Sequence, residues 1–311
     1  MNGRLGRARV MVLMLSLPIV ATPALGCSIC RCGDPTYNAL GNEGIAQEGW
    51  RLALDWDRVE KTQGGGGEQE SLTERRTTLL AAFGVSEAVG VFLRVPFSQR
   101  RLESHEDGEA GHVAVSGLAD PEISLQWRLW SSAFDGEVGT RSRVYLTGGV
   151  KTDWGENDES AGGERLDEHV QPGTGAKDEF IGIAASRPVD PAPALFASVQ
   201  PRLTGRNAHG YRYGRSTLLN VAYDRRLGAR WDLVVEANYR QAGRAEIDGQ
   251  GTRDPDTGGA ITYLTPRMLF DLGHGWVLRA SAQLPLYQHG LNGDQHERAV
   301  LNVGATYLPR R

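Results

Sequence analysis

About twelve short segments of this chain alternate apolar and polar residues, and a period of two admits little except β-strand. In Trp231-Asp232-Leu233-Val234-Val235-Glu236-Ala237-Asn238-Tyr239-Arg240, the residues Trp231, Leu233, Val235, Ala237 and Tyr239 fall on one face. Asp232, Glu236, Asn238 and Arg240 fall on the other. Successive strand side chains point to opposite sides, so each segment has an apolar and a polar face. The alternation predicts strands near 49–60, 73–84, 88–100, 121–131, 142–152, 178–187, 194–204, 213–225, 230–244, 260–272, 275–287 and 297–308.

A soluble sandwich and a membrane barrel both alternate, and the N-terminus separates them. Arg4, Arg7 and Arg9, the apolar run from Val10 to Ala21 and the Ala24-Leu25-Gly26 site read as a secretory signal peptide over 1–26. The apolar run is too short to span a bilayer, and no later stretch approaches the roughly 20 apolar residues a membrane helix needs. A mature chain in a membrane must then be a closed barrel, in which every backbone group pairs. Composition agrees. With 40 glycines, few segments are apolar enough for a solid protein core, whereas a lipid-facing barrel needs only half its strand residues apolar. Loss of three arginines with the signal takes the formal charge from −4 to −7, which excludes nucleic acid as a partner.

The connections point the same way. With the mature N-terminus in the periplasm, the segments near 61–72, 101–120, 153–177, 205–212, 245–259 and 288–296 become long extracellular loops. Val85-Ser86-Glu87, Arg226-Leu227-Gly228 and Gly273-His274 become short periplasmic turns, with one longer link at 132–141. Such long–short alternation is the habit of outer-membrane barrels. Trp50, Phe83, Trp127, Tyr223, Trp231, Phe270, Trp276 and Tyr307 all land at the periplasmic strand ends, as one interfacial girdle should. Pro96, Pro201, Pro266 and Pro285 lie inside these strands and read as bulges or kinks near the rim. The expected fold is thus all-β: a transmembrane antiparallel up-and-down β-barrel of about twelve strands over 47–311, behind a signal peptide and an N-terminal segment at 27–46 that lacks alternation.

Two stretches carry a family resemblance. Gly117-Leu118-Ala119-Asp120-Pro121-Glu122-Ile123-Ser124-Leu125 resembles a Gly-Leu-Gly-Asp strand opening. Gln171-Pro172-Gly173-Thr174-Gly175-Ala176-Lys177-Asp178 is similar to a Pro-Gly-Thr-Gly-Ser-x-Asp segment that follows a Lys-containing strand, here Val150-Lys151-Thr152. In both, the chain resembles the MetA-pathway phenol-degradation family of outer-membrane transporters, distantly like the fatty-acid transport barrels. Ala119 and Ala176 depart from the pattern. The resemblance implies a barrel that moves small, often hydrophobic, molecules across the outer membrane.

All three cysteines fall in Cys27-Ser28-Ile29-Cys30-Arg31-Cys32. Three readings stay open. Cys27 follows a partial lipobox and is a candidate for lipidation. Two of the three can pair as a disulfide in the oxidising periplasm. Closely spaced thiolates also suit a soft metal ion such as Cu(I) or zinc, or a redox role. Arg31 after Cys-x-x-Cys disfavours covalent haem. Apart from that soft metal, no cofactor is expected. No Gly-x-Ser-x-Gly elbow is present, Gly64-Gly65-Gly66-Gly67 lacks the Lys-Ser/Thr of a phosphate loop, and no enzyme is expected. The seven histidines fall in loops and read as solvated.

The inward face holds the functional lead. Arg94, Glu122, Arg128, Arg143, Lys151, Asp232, Glu236, Arg240, Arg267 and Arg279 would line the lumen and pair as a ladder across it. The expected function is a channel for small, including hydrophobic, solutes in a Gram-negative outer membrane, its partners being outer-membrane lipid and the solute. The alternative is a scaffold that docks a periplasmic metal or redox partner through Cys27, Cys30 and Cys32, with 27–46 as plug or docking element.

Overall fold

The computed structural model describes residues 49–64, 68–106, 109–132, 142–188, 193–247, 249–255, 257–289 and 295–309. Residues 1–26, expected to be a signal peptide, the segment 27–46 and Cys27, Cys30 and Cys32 lie outside them, as does most of the link at 132–141.

The chain runs through β1 (Gly49–Gln63), β2 (Glu68–Gly84), β3 (Val89–Glu106), β4 (Glu109–Leu118), β5 (Glu122–Ser131), β6 (Arg143–Lys151), β7 (Ser160–Ala161), β8 (Glu164–Arg165), β9 (Asp178–Pro188), β10 (Pro193–Leu203), β11 (Ser216–Arg226), β12 (Trp231–Ala242), β13 (Gly259–Gly273), β14 (Trp276–His289), β15 (His296–Glu297) and β16 (Val300–Tyr307). Twelve strand positions form the wall, because β4 and β5 follow one another beside β3, and β15 and β16 follow one another beside β1. Each strand pairs antiparallel with its neighbour, and β1 pairs with both β2 and β16, which closes the sheet into a barrel. β7 and β8 form a small hairpin in the connection from β6 to β9.

The faces are those of a membrane barrel. Leu54 is 54 % exposed, Leu125 51 % and Val303 50 %, all on the outer face. On the inner face Glu236 and Asn238 are fully buried and Lys61 is 2 % exposed. This inversion of the soluble pattern leaves the apolar band to lipid. At one end Trp50, Tyr307 and Trp276 touch in series, with ring centroids 5.7 and 4.9 Å apart, and Trp231 meets Phe270 at 4.5 Å. These contacts tie neighbouring strands together at the interfacial girdle.

The structure departs from expectation above the membrane. Segments 61–72 and 101–120 are mostly strand: β1 and β2 stay in register to Gln63↔Glu70, and β3 and β4 to Glu106↔Glu109. In this barrel the alternation comes from the lipid-facing side; beyond the bilayer the outer face is polar as well and the signal fades. The prolines also differ. Pro96 sits where β3 changes partner from β5 to β4, and its carbonyl accepts from Ala119 N at 2.9 Å. Pro285 lies at the register shift between β13 and β14. Pro266 in mid-strand and Pro201, two residues from the end of β10, each interrupt one ladder without shifting its register, because a missing donor costs a hydrogen bond but does not oblige the strand to slip.

Candidate functional site

The two stretches of the family resemblance, far apart in sequence, meet at one buried lysine. Lys151, last residue of β6, points inward; its Nζ donates to Asp120 Oδ2 at 2.8 Å, to Ala176 O at 2.6 Å and to Thr174 Oγ1, with Asp178 Oδ2 at 3.4 Å. Asp120 stands in the gap between β4 and β5. Its Oδ1 accepts from Gly155 N at 3.1 Å, and its Oδ2 from Thr174 N at 2.7 Å and Thr174 Oγ1 at 2.6 Å. A Cβ on Gly155 would stand 2.5 Å from Asp120 Oδ1, so the backbone can come this close only as glycine.

Register extends the knot sideways. Arg94, Glu122, Lys151 and Asp178 are directly opposite one another on β3, β5, β6 and β9, an alternating row of charge across four strands. Arg202 joins it from β10, 2.7 Å from Glu122 and 3.9 Å from Asp178, with its guanidinium 4.8 Å over the Phe180 ring.

The knot anchors both ends of segment 152–177, and that segment crosses the barrel mouth. On one wall, Arg100 of β3 donates to the carbonyls of His169 and Gln171 and lies 3.6 Å from Glu74, which also holds Arg76 at 2.7 Å and accepts from Ser98 at 2.8 Å. On the other, Asn207 Nδ2 donates to Glu168 Oε2 at 3.0 Å and Tyr213 Oη to Glu168 O at 2.9 Å. β3 and the β10–β11 connection stand four to five strand positions apart in a wall of twelve, more than a third of the way round. Within the segment Gln171 is fully buried and bridges Glu159 and Leu166, while Val170 is 3 % exposed. Glu159 belongs to an acidic run with Asp153, Glu156 and Asp158. Of that run, Glu156 accepts from Leu118 N at 3.0 Å and Asp158 meets His209 at 2.7 Å.

A second inward group lies at the same end. Glu297 receives Lys61 at 2.7 Å, Arg240 at 2.8 Å and the Tyr263 hydroxyl, all four side chains buried. Outside the wall strands, Glu246 is clasped by Arg212 and by Arg206 at 2.7 Å; the hydrogen bond from Arg212, ahead of that from Arg206, holds its carboxyl below the usual range.

The ten residues expected to line the lumen divide into groups. Glu122 and Lys151 belong to the knot, with Arg94 beside them. Glu236 pairs with Arg267 at 3.0 Å, Arg279 with Asp55 at 2.5 Å, and Arg240 with Glu297. Arg128 lies 3.6 Å from Glu87 and Asp232 3.3 Å from Arg226, at the other end of the wall; Arg143, also there, faces Ser131 and Ser186 in register. The charges therefore form separate clusters along the wall in place of one ladder across it, some pairing adjacent strands, as Glu236–Arg267 does, and some spanning three strand positions, as Arg202–Glu122 does. Arg100, Asp120, Asp178, Lys61 and Glu297 were outside the expected set. Asp120 and Asp178 sit in the resemblance stretches; Lys61 and Glu297 lie where alternation has faded. Near the girdle end the interior turns apolar, with Ala222, Val234 and Leu269 packed together beside Phe196 and Val277.

No family model and no curated protein matches this chain. Among solved structures it is similar to an outer membrane channel from Pseudomonas putida F1, with a TM-score of 0.63 at 13 % identity over 86 % of this chain and 98 % of that one. It is less similar to the translocator domain of the autotransporter NalP from Neisseria meningitidis, at 0.48 and 12 % over 87 % and 92 %. The toluene transporter TbuX from Ralstonia pickettii gives 0.43 and 9 % over 85 % and 90 %. The first of these likenesses is one of fold: the chain is a twelve-stranded β-barrel of the outer-membrane type.

Proposed function

We propose that this protein is an outer-membrane channel that passes small solutes through the charged interior of its barrel, with segment 152–177 narrowing the path. The observation that carries the reading is the crossing of that segment from Arg100 on one wall to Asn207 and Tyr213 near the other. A barrel that served only as an anchor gains nothing from filling its mouth with a tethered, hydrogen-bonded segment. The apolar patch of Ala222, Val234, Leu269, Phe196 and Val277 beyond the constriction supports hydrophobic molecules among the solutes. The similar barrel from Pseudomonas putida F1 is itself a channel.

The test is single-channel recording of detergent-refolded residues 27–311 in a planar bilayer, with and without serine at Cys27, Cys30 and Cys32. Folding is checked first by heat-modifiable migration on a gel. Discrete conductance steps are expected in both forms. Their absence from both, and also from a variant in which segment 152–177 is shortened, would overturn the channel.

A further inference from the structure

We propose that the outer face of β1–β4 holds a binding site for the phosphorylated sugar headgroup of an outer-leaflet glycolipid, built from Arg58, Arg75 and Arg101. The site is on the lipid side of the wall and is independent of the channel reading.

Height is the first observation. On β1 the lipid-facing run Leu52, Leu54 and Trp56 ends at Arg58. On β2 the run Phe83 and Leu79 gives way to Arg75. On β3 Leu93 and Phe97 give way to Gln99 and Arg101. At about 3.3 Å per residue and a strand tilt near 40°, these arginines stand roughly 20–30 Å above the girdle, bracketing the ~25 Å apolar band of such barrels. They are the first outward charges above hydrocarbon, at the level of outer-leaflet headgroups.

Charge is the second. Arg58 and Arg75 are directly opposite in register on one face of the sheet, and Thr73, next outward on β2, faces Arg101. Like charges opposed across strands destabilise the pair. Arg58 turns to Glu60 at 2.5 Å and Arg101 to Glu103 at 2.9 Å, while Arg298 lies 3.7 Å from Glu60. The two acids leave the four arginines with an excess of two positive charges. Among the described residues the exposed guanidinium of Arg75 makes no ion pair or side-chain hydrogen bond. A phosphate between the two facing guanidiniums would turn their repulsion into two charge-assisted contacts.

Shape is the third. Arg58, Arg75, Gln99, Ser116 and the paired Arg101 and Glu103 are among the residues that line a groove of about 450 Å³ here. Gln99 and Ser116, directly opposite in register, add neutral hydrogen-bonding groups suited to sugar hydroxyls. A groove with donors at its walls and hydrocarbon below fits an amphiphile whose sugars carry phosphate and whose chains run down the barrel.

The experiment is native mass spectrometry of the detergent-refolded protein with purified bis-phosphorylated lipid A as probe. The wild type, the triple variant Arg58→Gln/Arg75→Gln/Arg101→Gln and the control Arg225→Gln, an exposed outward arginine at the opposite end of the wall, are compared after each is shown to migrate as a folded barrel. The wild type and control are expected to retain lipid A, and the triple variant to bind at least ten-fold more weakly. Enzymatic removal of the lipid's phosphates should weaken wild-type binding to a similar extent and change the triple variant little. Equal retention by all three proteins would overturn the site. So would equal retention of phosphatidylglycerol, which carries phosphate without the sugars, or displacement of lipid A by millimolar inorganic phosphate, which would mark a free-anion site.

Discussion

Asp120 shows how much one carboxylate can organise. It sits between Ala119 and Pro121 in the gap between β4 and β5, and it receives Lys151, Gly155 N, Thr174 N and the Thr174 hydroxyl. Asp120→Ala leaves Lys151 with its nearest carboxylate gone. Removing one partner of a buried pair costs on the order of 3 kcal/mol, so the variant should unfold at lower urea concentration than the wild type. It should also conduct more, since both ends of segment 152–177 lose their tether. A variant with unchanged stability and unchanged conductance would show that the knot is not what holds the segment. The sequence displays Asp120 inside a recognisable stretch but not its work, because its partners come from 31 and 54 residues further along the chain.

Strands and turns were the most legible elements. A face that meets lipid must be apolar at every second position, and that constraint can be read directly. The turn at Gly273-His274-Gly275 was legible too, and the structure supplies its reason: all three residues have positive φ, His274 at 54° and Gly275 at 85°. A Cβ on Gly275 would also run into the carbonyl oxygen of Leu308. Gly275→Ala should therefore cost about 1–3 kcal/mol in a refolding titration. Gly148→Ala, where φ is ordinary and a Cβ meets nothing within 4 Å, should be near neutral. The upper strand extensions and the inward course of 152–177 were not legible. Their residues carry no lipid-facing apolar stripe, and a wet loop and a largely polar segment packed inside a barrel have similar composition.

For the whole molecule the decisive property is which side meets water. Leu54 lies midway between Trp50 of the girdle and Arg58, opposite Leu79 on the next strand, and is 54 % exposed. On a soluble protein, Leu54→Arg at such a site would change stability by no more than about 0.5 kcal/mol. On this barrel in lipid vesicles it should cost about 2–4 kcal/mol, because the guanidinium enters hydrocarbon. Urea unfolding from vesicles measures the difference, and a change within about 0.5 kcal/mol would contradict the lipid-facing assignment. By itself the sequence determined the number of strands, their faces, the girdle and the closed antiparallel wall, since each follows from a period of two and from the need to pair every backbone group in lipid. Only the tertiary structure decided how the interior is filled and the rim arranged: which charges meet, that 152–177 turns inward, and that three outward arginines gather just above the apolar band. Those outcomes depend on the curvature and stagger of the closed wall, which bring together residues that no local pattern connects.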